Sequence, residues 1–169
     1  MFSALTAAAG FIRIPLFPVP VTLQTFFVYL SGSLLGARLG AISQGVFLCI
    51  GLIGLPVFAL GGGPGYVLQP TFGYLLGFPA AAWIIGQRIQ TGKKQPVFKM
   101  YVYADIMGMG VIYLFGVLYL FFNLNYIAGR PITWYHTIWS GAVLFIPGEI
   151  LKISFAAALA DRLKQVYSG

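Results

Sequence analysis

Glu149 and Lys152 stand three residues apart in FIPGEILKISFAAALA, an acid and a base inside one long apolar run. On a helix that spacing puts both side chains on one face, close enough to pair. Each ionised group near a bilayer centre costs about 2.5–3.5 kcal/mol on insertion scales, so the pair needs a reason. One reason is a tie between helices. The other, which the scarcity of charge in the remaining apolar runs favours, is a polar site offering a ligand one acceptor and one cationic donor. Pro147 and Gly148, just before the pair, are expected to open the helix backbone and free carbonyls to line a cavity.

Other reactive groups are few. The 169 residues include three acids (Asp105, Glu149, Asp161), one histidine (His136) and one cysteine (Cys49). That inventory argues against dense metal sites and hydrolase clusters and leaves no internal disulfide, so no metal is expected. His136 and Ser140 are four apart but belong to no HExxH or GxSxG pattern; with Trp134, Tyr135 and Trp139 they read as an aromatic belt at a membrane interface. Asp105 is expected to pair with Arg88 or Lys99, and Cys49 to pack as a small apolar residue. The GGGPG run at 61–65 lacks the Gly-Lys-Ser/Thr of a phosphate loop. It reads as a flexible turn or as a lid over a pocket, with Gln69 beside it as an amide.

The elements that must carry these groups follow from composition. With 59% hydrophobic and 8% charged residues and a mean hydropathy of +0.89, the chain is no soluble globule. Apolar runs near 1–13, 21–36, 40–56, 71–88, 100–122 and 136–161 predict an all-α membrane protein with six transmembrane helices, forming a single integral-membrane domain over residues 1–169. With a cytoplasmic N-terminus, Arg38, Arg88, Lys93, Lys94, Lys99, Arg162 and Lys164 fall inside, and Arg13 and Arg130 outside, which satisfies the positive-inside rule. Both termini are then cytoplasmic. The net charge of +7 is read as topology, and no nucleic-acid partner is expected. The first run is short: residues 2–12 would rise about 16 Å as a helix, against roughly 30 Å of hydrocarbon. A start further upstream or a partly submerged first helix is expected. Pro15, Pro18 and Pro20 predict a stiff, extended loop after it. Small residues at four-residue spacing (Gly32, Gly36 and Gly40; Gly73 and Gly77) predict close helix packing, and Ala4 with Ala8 a face for a partner.

PVPVTLQTFFVYLSGSLLGARLGA, GLIGLPVFA with the glycine-rich run after it, PTFGYLLGFPAAA and FIPGEILK cover most of residues 4–160. Together they resemble the BioY family, the biotin-specific substrate-binding membrane subunits (S components) of energy-coupling factor (ECF) transporters. The resemblance implies a multi-pass, six-helix protein of the bacterial cell (inner) membrane that is not an enzyme. Its pocket would open outward under the loop between the third and fourth spans. The implied partners are biotin, membrane lipid, a transmembrane coupling subunit that meets Ala4 and Ala8, and two ATP-binding cassette ATPases that hydrolyse ATP, so no cofactor is expected on this chain. Glu149 and Lys152 carry over as ligand-binding positions, with Gln69 beside them, although Glu149 stands where the family usually has Asp. Biotin's ureido ring presents two N–H donors and a carbonyl, which a carboxylate and an amide complement, while Lys152 suits an acceptor or the ligand carboxylate. Phe72 and Tyr74 would supply apolar wall. The alternatives are another small vitamin, a structural subunit without a ligand, and a membrane-embedded hydrolase using His136 and Ser140.

Overall fold

The computed structural model describes residues 1–16, 18–91 and 97–168. Lys93 and Lys94 of the basic set and the helix breakers Gly92 and Pro96 lie outside the described residues. The chain is mostly helical, with α1 (Phe2–Ala9), α2 (Gln24–Ile53), α3 (Phe72–Gln90), α4 (Phe98–Phe122), α5 (Trp134–Gly141) and α6 (Ile146–Ser168). Helical segments therefore overlap each of the apolar runs. Among the described residues three segments are long and apolar enough to cross a membrane by length and composition: Gln24–Ile53, Phe98–Ile127 and Trp134–Gln165.

α2 holds two of the expected runs, and the chain reverses inside it. Gly36 takes φ 81° and ψ −178°, a conformation open to glycine and strained for any residue with a Cβ. Beyond that point the helix folds back on itself: Gln44 Nε2 donates to Ser31 Oγ at 3.1 Å across thirteen positions, and Gly40 sits against the Ser31 carbonyl. A straight helix would hold those two residues about 20 Å apart. Gly36 thus makes a turn, whereas Gly32 and Gly40 serve the packing expected of them. The bend nests against Gly86 of α3, where an added Cβ would lie 2.0 Å from the Ala37 nitrogen. Gly73 and Gly77 do the same on the other face of α3, with Cβ positions 2.1 Å from Tyr119 Cβ and 2.9 Å from Ile112 Cα of α4. α3 is thereby clamped between α2 and α4 at backbone distance.

The first helix is short, as its sequence suggests, and the connections carry local structure of their own. α1 is only eight residues, about 12 Å of helix, and leans on the second arm of α2 through Ser3 to the Ser43 carbonyl and through Gln44 to Thr6. The proline loop is framed by a small antiparallel hairpin, β1 (Arg13–Ile14) on β2 (Val21–Thr22), with Arg13 opposite Thr22. The 55–71 connection is folded and anchored rather than loose. Phe58 and Gly61 exchange backbone hydrogen bonds, Gly63 N–H donates to the Gly51 carbonyl, and Pro64–Leu68 forms a 3-10 turn. Tyr119 of α4 and Asn123, just past its end, hold that turn by its Val67 and Leu68 carbonyls. The last span is broken earlier than Pro147 suggests: helical geometry lapses at Ala142, Val143–Phe145 makes a 3-10 turn, and Pro147 sits harmlessly in the first turn of α6. The hairpin and the 55–71 segment occupy one end of the helix bundle, called here the loop end. Cys49 is exposed rather than packed inside, because it lies on the outer face of α2.

Candidate ligand-binding site

α6 begins just below the break, so Glu149 is in its first helical turn and Lys152 one turn on. The two are joined at 2.5 Å, with Glu149 buried and the Lys152 side chain 11% exposed. The pair is embedded in hydrogen-bond partners from three other elements. Thr25 and Tyr29, four apart on one face of α2, donate to Glu149 Oε1 at 3.1 Å and Oε2 at 2.5 Å. Tyr113 of α4 donates to Oε1 at 3.2 Å. Lys152 uses its remaining protons on the Thr22 carbonyl (3.0 Å) and Thr25 Oγ1 (2.7 Å). An ion pair in low dielectric is tolerable when its leftover lone pairs and protons are met in this way. Glu149 Oε1 receives three donors and Oε2 one, which leaves Oε2 with accepting capacity.

This centre forms one wall of a cavity of about 60 Å³. The opposite walls are apolar, from Leu75 and Phe78 of α3, Ile112 of α4 and Phe145. The loop end closes it with Val19 to Thr22 of the hairpin and with Ala59, Tyr66 and Thr71. The Tyr66 hydroxyl lies 3.3 Å from Thr71 Oγ1. Burial pushes the Tyr66 phenol up, its hydrogen bonds and the nearby Arg13 charge acting against that, so the hydroxyl remains protonated at neutral pH.

A family model described as the BioY family matches residues 1–169. The chain belongs to the BioY family. Among its relatives, the "Probable biotin transporter BioY" of Lysinibacillus sphaericus is 47% identical over 99% of this chain and 85% of its own length. The "Biotin transporter BioY" of Thermotoga maritima is 38% identical over 98% of this chain and 93% of its own. Among solved structures, the S-component for biotin from an ECF-type ABC transporter, a crystal structure at 2.1 Å, is similar with a TM-score of 0.80 and 28% identity, covering 97% of this chain and 87% of that one. BioY relatives are transporters, and this chain is a membrane protein of that family.

Within this BioY-family fold the residues singled out from sequence separate into three groups. Glu149, Lys152 and Tyr74 meet at the cavity, Tyr74 donating to the Gly141 carbonyl at 2.7 Å. That carbonyl lies at the break after α5, where helical geometry lapses at Ala142. Phe72 is buried away from the cavity, its ring edge-on to Tyr119 with centroids 5.8 Å apart. Two residues on a helix turn through about 200°, so Phe72 and Tyr74 do not share a face. Gln69 is exposed and borders a different space, a loop-side cleft of about 550 Å³. The amide at the cavity is Gln24, 2% exposed, which accepts from Thr22 Oγ1 and whose Nε2 has no partner among the described residues. Ala4 and Ala8 are exposed on α1.

Asp105 does not form the expected ion pair. Arg88 and Lys99 are exposed, whereas Asp105 is fully buried and accepts from Ser33 at 3.3 Å. The helix faces diverge although the sequence positions are near. His136 is exposed beside Trp134, Tyr135 and Trp139, and Ser140 donates to the His136 backbone carbonyl rather than to its ring. Among the described residues no three His, Cys, Asp or Glu side chains gather in a metal-binding group. Thr25, Tyr29 and Tyr113 escape sequence reasoning. The four-residue spacing of Thr25 and Tyr29 in an otherwise apolar helix was the available signal.

Proposed function

We propose that this chain is the biotin-binding S component of an ECF-type transporter: one integral-membrane domain of six membrane segments in the bacterial cell membrane, with cytoplasmic termini and a pocket opening outward. The observation that carries the reading is the neutralised Glu149–Lys152 centre facing an apolar cavity, set in a chain whose BioY relatives match it nearly end to end. The helix count follows from dividing α2 at Gly36 and joining α5 to α6.

Biotin's ureido N–H groups suit Glu149 Oε2, which meets one donor, and the Gln24 amide suits the ureido carbonyl through its unpartnered Nε2. Lys152 already spends its three protons, so a ligand oxygen takes the place of one present acceptor, and the Thr22 carbonyl is the one carried on a two-residue strand. Binding therefore loosens the hairpin from α6. The cavity is equivalent to a few waters, each about 30 Å³ in the liquid, so admitting a bicyclic ring requires the hairpin and the 55–71 segment to part.

The chain itself hydrolyses nothing in this reading; two ATP-binding cassette ATPases and a transmembrane coupling subunit supply the energy. Ala4 and Ala8 are the small-residue face offered to that coupling subunit. Replacing both by leucine should leave biotin titration of the isolated chain intact and abolish ATP-dependent uptake by the reconstituted complex. Normal uptake by the double variant would remove α1 from the coupling interface. Titration with biotin beside a panel of other vitamins tests the ligand; a response to another vitamin alone would keep the transporter class and change its substrate.

A further inference from the structure

The loop-side cleft adjoins the inner cavity and shares Pro20 with it as a common wall. At about 550 Å³ it falls within the usual range for small-ligand sites, whereas the inner cavity of about 60 Å³ does not. Among the described residues one charged side chain lines it, that of Arg13, together with the exposed Gln69 amide and apolar and proline surface. The Arg13 guanidinium is exposed and makes no hydrogen bond or ion pair among the described residues. Nor does the sequence offer one nearby, because the three acids are engaged or distant. Glu149 is paired with Lys152, Asp105 is buried against Ser33, and Asp161 lies near the far end of α6, hydrogen-bonded by Gln165.

Arg13 is also wired to the inner site by backbone. It pairs across the hairpin with Thr22, the residue whose carbonyl holds Lys152. Tyr66, which lines the inner cavity, feels the Arg13 charge. Two cations thus stand in adjoining spaces, Arg13 in the loop-side cleft and Lys152 at the inner cavity.

We propose that the loop-side cleft is a receiving site for an anionic small molecule, in which Arg13 holds the aliphatic carboxylate of the ligand before the hairpin opens to the Lys152 site. This inference rests on the reading of the chain as a biotin-binding subunit. Arginine suits the task, since its planar fork grips a carboxylate through two parallel hydrogen bonds and stays charged at every physiological pH. Gln69, outside the inner cavity, finds a role here as a second polar group on the cleft wall.

The test is stopped-flow binding of biotin, and of biotin amide with its tail neutralised, to the purified chain as wild type, Arg13→Gln and Arg13→Lys. Arg13→Gln should slow biotin association about tenfold at low salt, the low end of electrostatic steering, and slow release alongside it. Added salt should erase the difference, and Arg13→Lys should restore most of the rate. Wild type should show an observed rate that levels off with biotin concentration, as a preceding complex demands, while all three proteins should take up biotin amide equally fast. Equal biotin association by wild type and Arg13→Gln, with saturable binding intact, would overturn the receiving site and leave the biotin reading standing. Equal slowing of biotin amide would overturn it too, since the charge would then be irrelevant. Wild type without saturable biotin binding would remove both.

Discussion

Two carboxylates are buried in this membrane protein, and their surroundings differ sharply. Glu149 meets Lys152 and three hydroxyls drawn from two further helices, and it faces a cavity. Asp105 meets one serine at 3.3 Å, its Oδ2 has no partner among the described residues, and it does not line that cavity. The first is a charge-balanced centre assembled by four elements beside a cavity. The second is a lone acid inside a helix interface, placed where it can tie α4 to α2 through Ser33. Burial alone therefore does not single out a candidate binding site; convergence of donors on a space does.

Substitutions can break that contrast in order of expected size. Glu149→Ala leaves Lys152 without its counter-charge and should weaken biotin binding by at least about 3 kcal/mol, the range for stripping one partner from a buried pair, as read by calorimetry in detergent. Glu149→Asp keeps the acceptor and should be milder by at least about 1 kcal/mol; equal damage would make side-chain reach, not charge, the controlling variable. Tyr29→Phe removes the lone donor on Oε2 and should cost about 1.5–3 kcal/mol of chain stability, the scale of a hydrogen bond to a charged group, visible as a lower melting temperature. Tyr113→Phe should cost less, about 1 kcal/mol, because Oε1 keeps Thr25 and Lys152. Asp105→Asn should change biotin affinity by less than about 0.5 kcal/mol, as expected for a site remote from the ligand. A loss as large as that of Glu149→Ala would erase the distinction between the two acids.

What the sequence made visible was local. Glu149 and Lys152 are one helical turn apart, so their pairing follows from spacing alone, and the apolar runs located the helices to within a few residues. Thr25, Tyr29 and Tyr113 reach Glu149 from 124, 120 and 36 positions away, and no local pattern encodes such approaches. The same limit explains Asp105, assigned to Arg88 or Lys99 by proximity in sequence when the rotation of α4 turns it inward to Ser33. Gly36 looked like its neighbours Gly32 and Gly40, since a four-residue repeat of glycines reads alike whether it packs a helix or turns it. Gln69 and Gln24 show the reverse difficulty. Both are amides beside proline-rich loops, and only the fold of the hairpin decides which faces the inner cavity.

The most direct measurement is a calorimetric titration of biotin into the purified chain and into Lys152→Ala. The account predicts saturable one-site binding by the wild type and a loss of at least about 2 kcal/mol in the variant, which deprives the ligand of a donor and strands Glu149. Unchanged affinity in a folded Lys152→Ala protein would contradict it.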